Sequence, residues 1–190
     1  MSILQANLVG ALWIAWTVYW GIAARSAKAD QRRESMASRA SYILPLVIAA
    51  CLLWLPALSV GFLGRRFVPD TPATFWTGFA VLALGLAFSI WARRVLGSNW
   101  SGIVTVKQDH QLVQSGPYRW VRHPIYTGLL FAFAGTAIAR GEWRGVLAVL
   151  IVFASFWRKL RIEERWMVET FGAAYLRYRA EVRALIPFVL

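Results

Sequence analysis

Three stretches of the chain contain no charged side chain: Met1 to Ala24, Ala40 to Gly64 and Thr71 to Ala92. Each exceeds the roughly 18 residues that a helix needs to cross hydrocarbon at 1.5 Å per residue. Two shorter apolar runs, Ile125 to Ala139 and Gly145 to Trp157, flank the polar link Arg140 to Arg144 and read as a tight helical hairpin. Its ends are expected to be anchored by snorkelling arginines and by Trp143. The re-entrant alternative for this pair stays open, because both runs fall below the usual spanning length. Only 16% of residues are charged against 58% hydrophobic, whereas soluble domains carry about 25% charged residues. The expected fold is an all-α membrane protein of about five transmembrane helices, with a cytoplasmic cofactor-binding loop and C-terminal helices. It forms one domain over residues 1–190, with three spans in 1–96 and a catalytic part in 97–190.

The net charge of +12 raises the question of nucleic acid, but the basic residues lie between apolar runs and form no single patch. Alternation across the membrane explains them better. Of the 21 Lys and Arg residues, 17 fall in the segment after the first span, the third connection and the tail; four fall in the other two connections. The positive-inside rule then puts the N-terminus outside and the tail in the cytoplasm. The basic stretch Arg25 to Arg39 reads as a juxtamembrane linker. The first run lacks a basic leader and a cleavage site, so it is expected to remain as a membrane helix. Cys51, the single cysteine, lies in an apolar run and reads as a packed thiol.

Two polar blocks fall on the cytoplasmic side. The first, Gly116 to Gly128, contains Arg122, His123 and Pro124. Proline suits the first turn of a helix and keeps the preceding residue non-helical, so the chain is expected to turn at His123. A helix N-terminus beside Arg122 and His123 is a site for a carboxylate or phosphate, or else an anchor to lipid headgroups. Gly128 allows a ligand or a neighbouring helix to approach closely. Before this block, Ile103 to Val106 reads as a short extended piece and Ser115 to Pro117 as a turn. The second block, Arg158 to Phe171, continues the fifth span as a helix. At 100° per residue, Phe153, Leu160, Glu164, Met167 and Phe171 form one stripe, with Glu163 and Arg161 at its margins. An acid within an apolar stripe needs a cationic partner, so Glu164 is either functional or a structural pair with Arg161 or with an arginine of the connection. His110 and His123 are far apart and have no thiol partners, which argues against a metal site. The chain has no Gly-x-Gly-x-x-Gly motif for a Rossmann-type site and no recognisable Ser/His/Asp constellation.

Taken together, Gly116-Pro-Tyr-x-x-Val-Arg-His-Pro-x-Tyr-x-Gly128, Arg161-x-Glu-Glu164 and Phe171-Gly-x-x-Tyr175-x-x-Tyr178 before Pro187 resemble the isoprenylcysteine carboxyl methyltransferases and the related phospholipid methyltransferases. The chain is similar to a bacterial member with a short N-terminal half, and the bacterial inner membrane is its expected location. The likeness covers about Gly97 to Pro187, and the first three spans match only in being hydrophobic. It implies an enzyme that encloses S-adenosyl-L-methionine between the cytoplasmic loop and the C-terminal helices and draws a lipophilic or prenylated acceptor from the bilayer. Carried over, the cofactor-binding residues are Arg122, His123, Pro124, Tyr126, Glu163 and Glu164, with His110, Leu112, Val113 and Tyr118 around them. The resemblance associates Arg161 with catalysis, and Glu164 is its expected companion. Methylation of a prenylcysteine carboxylate needs no base, whereas a phospholipid amine must lose a proton, which would fall to Glu163 or Glu164. Readings of other classes are an NADPH-dependent membrane reductase, since sterol reductases look similar in this region, and a non-enzymatic scaffold or transporter subunit.

Overall fold

The computed structural model describes residues 1–25, 30–100, 105–107, 111–187 and 189. Among the described residues six α-helices carry the fold: α1 (Ile3–Ala24), α2 (Met36–Trp54), α3 (Pro72–Leu96), α4 (Pro124–Arg140), α5 (Trp143–Phe171) and α6 (Ala173–Glu181). Of these described residues, three segments are long and apolar enough to cross a membrane: Ile3–Ala24, Met36–Trp54 and Pro72–Asn99. The outer surface is as greasy as the core. Ile14, Val18, Val47, Leu84, Phe131 and Leu150 are all exposed, and these side chains come from each of α1 to α5. Water does not tolerate such a continuous apolar surface, but lipid does, and the chain is an integral membrane protein.

The second span is shorter than its charge-free run. Helix α2 stops at Trp54 because Pro56 forces Leu55 out of the helical region, to φ −85° and ψ 114°. Residues 55–64 instead form two short 3₁₀ turns. A second difference lies between residues 30 and 33, read above as linker. Strand β1 (Asp30–Arg33) pairs antiparallel with β2 (Thr105–Lys107), so a small ribbon joins the first and third connections.

In lipid, helices gain little from excluding water from their contact, so close backbone approach must hold them together. The α3–α4 pair shows how this is done. Gly78 and Gly85 face Gly135 and Gly128 in antiparallel order. A Cβ added to Gly135 would lie 2.3 Å from the Leu82 amide nitrogen, and one on Gly128 would lie 2.6 Å from the Gly85 carbonyl oxygen. Gly128 therefore admits a neighbouring helix, not a ligand. Helix α1 is attached differently: Trp13 donates its indole N–H to Thr136 Oγ1 (3.1 Å) and Trp16 to Ser89 Oγ (2.9 Å), both acceptors being fully buried.

The hairpin tip departs from the snorkelling expectation. Arg144 is buried and donates Nη1 to the carbonyls of Leu52 (3.1 Å) and Leu55 (2.6 Å), the groups left without helical partners where α2 ends. Its Nε reaches Glu142 at 2.5 Å, and Glu142 also accepts from Ser59 at 2.8 Å. Arg66 donates to the Arg140 carbonyl (3.2 Å) and pairs with Asp70 (3.1 Å). Trp143 stacks on Phe62 at 5.3 Å. Freed carbonyls at this end explain why the arginine turns inward.

The glycine seam gives a direct test. Gly135→Val is expected to destabilise the protein by about 3 kcal/mol or prevent its folding, because backbone atoms cannot yield as side chains do. Gly10→Val, with nothing within 4 Å of its added Cβ, is expected to be nearly neutral. Thermal unfolding in detergent compares the two; equal midpoints would refute the seam.

Candidate functional site

Pro117 and Gly116 begin the site. A 3₁₀ turn over Gly116–Arg119 starts with Gly116 at φ 57°, in the region that glycine favours, and buries Tyr118. The chain then reaches His123, non-helical at φ −123° and ψ 59°, and Pro124 opens α4 as the first helical residue. Pro124 is buried and shapes this turn but does not line the cavity below it. After α6 the C-terminal segment runs parallel to Val121 to His123. The Arg122 amide donates to the Arg183 carbonyl (2.8 Å), His123 N–H to Ala184 (3.0 Å), and Thr127 Oγ1 to Leu185 (2.7 Å). Two segments far apart in sequence thus fix the orientation of Arg122 and His123.

Glu164, on α5, meets them. Its Oε1 accepts from Arg122 Nε at 2.9 Å and Nη2 at 2.5 Å, and lies 3.3 Å from His123 Nε2. Arg122 Nη1 donates to the carbonyls of Arg179 and Val182, so the guanidinium is engaged along its whole edge. The cationic partner that the apolar stripe demanded is Arg122 of the connection. Burial pushes the Glu164 carboxyl up, but His123 and Arg122 outweigh it and hold the group down to about 2. On the other side of the imidazole, Glu163 Oε2 lies 3.6 Å from His123 Nδ1. Glu163 Oε1 accepts from the Tyr126 hydroxyl at 2.5 Å and lies 3.9 Å from Lys159 Nζ.

These groups stand at one end of a cavity of about 400 Å³, within the range of small-ligand sites. Arg122, His123, Tyr126 and Glu163 line it, as do Leu112, Val113 and Tyr118; His110 lies outside the described residues. Trp13, Trp16, Leu129, Phe133 and Phe156 line the apolar part. Glu164 is not in the wall; it stands behind Arg122 and His123 and acts through them. Arg161 stands apart as well. It is exposed and borders, with Glu164, Arg165, Glu169, Leu176 and Arg179, a groove separate from that cavity.

Sequence reasoning passed over Lys159, Trp166 and the tryptophans of α1, and it quoted Met167 in the stripe and Tyr175 and Tyr178 in the motif without assigning them to the site; all of these are in the cavity wall. Lys159 sits one helical turn before Glu163 and two positions after the assumed end of the span, a spacing that does place it on the Glu163 face. Burial pushes the Tyr118, Tyr175 and Tyr178 phenols up, so they remain neutral.

Fold and site together define a class: a helical membrane protein with a charged pocket at one end of its bundle that opens into an apolar, tryptophan-lined chamber. The sequence model described as phospholipid methyltransferase matches residues 73–174, and the chain belongs to that family. Protein-S-isoprenylcysteine O-methyltransferase of Saccharomyces cerevisiae is 32% identical over 115 residues, covering 59% of this chain and 48% of the relative. The Homo sapiens protein of the same name is 31% identical over 155 residues, covering 78% and 53%. The solved structure of a eukaryotic intramembrane Ras methyltransferase, isoprenylcysteine carboxyl methyltransferase, superposes with a TM-score of 0.59 at 25% identity, over 82% of this chain and 55% of that one. The chain spans about half the length of the relatives it matches.

Because Glu164 titrates well below its ordinary value of 4.5, its pairing contributes stability above that value and loses it as pH falls toward about 2. Wild-type protein is expected to lose stability across this window. Glu164→Gln is expected to be flat there and weaker by about 3 kcal/mol at neutral pH, since Arg122 is left buried without its counter-charge. Unfolding midpoints measured between pH 7 and 2.5 check both; a wild type as insensitive as the variant would overturn the assignment.

Proposed function

We propose that this protein transfers a methyl group from S-adenosyl-L-methionine to a lipophilic acceptor at the cytoplasmic face of the membrane, and that the acceptor group is the carboxylate of a prenylated cysteine. The observation that carries the reading is the junction of Arg122, His123, Glu163 and Tyr126 with the apolar chamber lined by Trp13, Trp16 and Phe133. The cofactor bears an ammonium, a sulfonium, a carboxylate and a flat base. Glu163 and the faces of Tyr118, Tyr175 and Trp166 suit the cationic groups, and His123 at the start of α4 suits the carboxylate. When bound, S-adenosylmethionine supplies an electrophilic methyl group. The chain's residues do the rest: Glu164 holds Arg122 and His123 in position, Tyr126 fixes Glu163, and the apolar wall excludes water from the reacting groups.

The names of the relatives support the prenylcysteine acceptor, and so do the partners that Glu163 already has. Glu163 already accepts from Tyr126 and pairs with Lys159, so its oxygens are taken up where a phospholipid ammonium would need a base. A carboxylate acceptor needs none. Family membership speaks against the reductase and scaffold readings. The charge pattern supports five spans with α4 and α5 as the last two, the N-terminus outside and the pocket at the inner leaflet of a bacterial inner membrane. The small ribbon of β1 and β2 then belongs to the cytoplasmic side.

Titration of the detergent-purified protein with S-adenosylmethionine is expected to show saturable binding by calorimetry. With a methyl-labelled cofactor, label is expected in an N-acetylated S-prenylcysteine as an alkali-labile ester. Alkali-stable label in phosphatidylethanolamine would favour N-methylation instead, and no binding heat or thermal shift would overturn the methyl-transfer reading.

A further inference from the structure

The groove that Arg161 borders is a second concavity, of about 410 Å³, built from the end of α5 and from α6. Arg161 and Arg165 come from α5 and Arg179 from α6. Its two acids are Glu164 and Glu169. Glu164 commits Oε1 to Arg122 and His123, while its Oε2 lies 3.8 Å from Arg179 Nε. Three guanidiniums therefore share the groove with one carboxylate that is not already bound to Arg122. Arg161 and Arg165 are exposed, stand at i and i+4 on one helix, and make no ion pair among the described residues. Like charges at that spacing repel each other, and an anion seated between them would relieve the repulsion.

Position names the anion. The apolar run of α5 ends at Trp157, and at 1.5 Å per residue Arg161 comes about 6 Å and Arg165 about 12 Å further along the axis. For a helix along the membrane normal, headgroups occupy about 5 to 8 Å beyond the hydrocarbon boundary, so Arg161 stands at headgroup depth and Arg165 just outside it. Val168 and the exposed Leu176 give the groove an apolar side on which a glycerol backbone can rest. Guanidiniums match phosphate oxygens in paired hydrogen bonds, and a zwitterionic head would bring an ammonium that three arginines repel.

We infer that this groove binds the headgroup of an anionic phospholipid of the surrounding membrane, held by Arg161, Arg165 and Arg179. The inference goes beyond the methyl-transfer reading and uses from it only the placement of this end of the bundle at the inner leaflet, whose anionic lipids attract basic side chains. The lipid held here is no acceptor, because the groove is separate from the cavity. A phosphate that touches α5 and α6 together ties the two helices. The Arg179 and Val182 carbonyls at the end of α6 accept from Arg122, so the headgroup steadies the polar end of the cavity without entering it.

Thermal unfolding of the full chain in mixed micelles tests this, with the midpoint followed against the mole fraction of phosphatidylglycerol or of phosphatidylcholine. Wild type is expected to reach half of a saturable rise at a phosphatidylglycerol fraction at least about fivefold below that for phosphatidylcholine, since one basic residue near an anionic lipid is worth about that factor. Arg161→Gln combined with Arg165→Gln is expected to bring the two lipids within about twofold, and Arg165→Gln alone to weaken the preference about threefold. Without lipid, the double variant is expected to unfold no lower than wild type, because a repulsive pair has been removed; should it fail to fold, Arg165→Gln carries the comparison. Arg177→Gln removes the same charge from an exposed position of α6 outside the groove and is expected to keep the preference. The inference is overturned if wild type shows no preference, if the folded variants of Arg161 and Arg165 retain it, or if Arg177→Gln loses it equally. Inorganic phosphate or a short oligoglutamate that reproduced the rise would also overturn it, in favour of a free anion or an acidic protein partner. Because the readout is lipid binding, loss of the lipid preference leaves the methyl-transfer reading standing, and absence of methyl transfer leaves the lipid site standing.

Discussion

A guanidinium and a carboxylate buried together at one end of a greasy bundle hold the working end of this molecule in shape. Arg122 and Glu164 come from segments 42 residues apart, and the same guanidinium also takes up carbonyls at the end of α6. Neither charge is tolerable alone away from water, so the pair forms together or not at all. Its formation brings the Arg-His-Pro turn onto α5, draws the C-terminal segment alongside, and leaves His123 between two carboxylates. Buried ion pairs of this sort add little net stability against an apolar replacement, and their merit is that they specify a single arrangement. Here the specified arrangement is the polar end of the cavity.

Around that pair the bundle is assembled by contacts that suit lipid. The α3–α4 seam uses glycine to bring backbones together, while α1 is attached through indole N–H groups that find Ser89 and Thr136. Both devices leave side-chain volume for the cavity. Trp13 and Trp16 do two things at once, since their N–H groups fix α1 and their rings form the chamber wall. The chamber's apolar surface is therefore a by-product of how the first helix is fastened.

Much of this could be read in the residues before any coordinates. Charge-free runs give three long helices because nothing else buries 20 apolar residues in a row, and Pro124 after His123 gives the turn. Glu164 within an apolar stripe announces a hidden cation, and the cation is Arg122. What stayed out of reach is tertiary by nature. Residues 55–64 are as apolar as a span, yet the proline that ends α2 leaves carbonyls which Arg144 must satisfy, and that requirement is invisible without the partner helix. The 3.6-residue period places Arg161 and Glu163 alike at the stripe's margins; only the position of α4 and α6 decides that Glu163 faces the cavity and Arg161 faces away. Lys159 drew no notice because a lysine after an apolar run reads as an interfacial charge.

The clasp of Arg144, Glu142, Ser59 and Arg66 joins the ends of α2, α4 and α5 to the segment before α3, at the end of the bundle opposite the charged pocket. A set of rods pinned at one end behaves like a cantilever: thermal motion grows with distance from the pin. Breathing of the helices is thus expected to concentrate at the unpinned end, where the chamber lies.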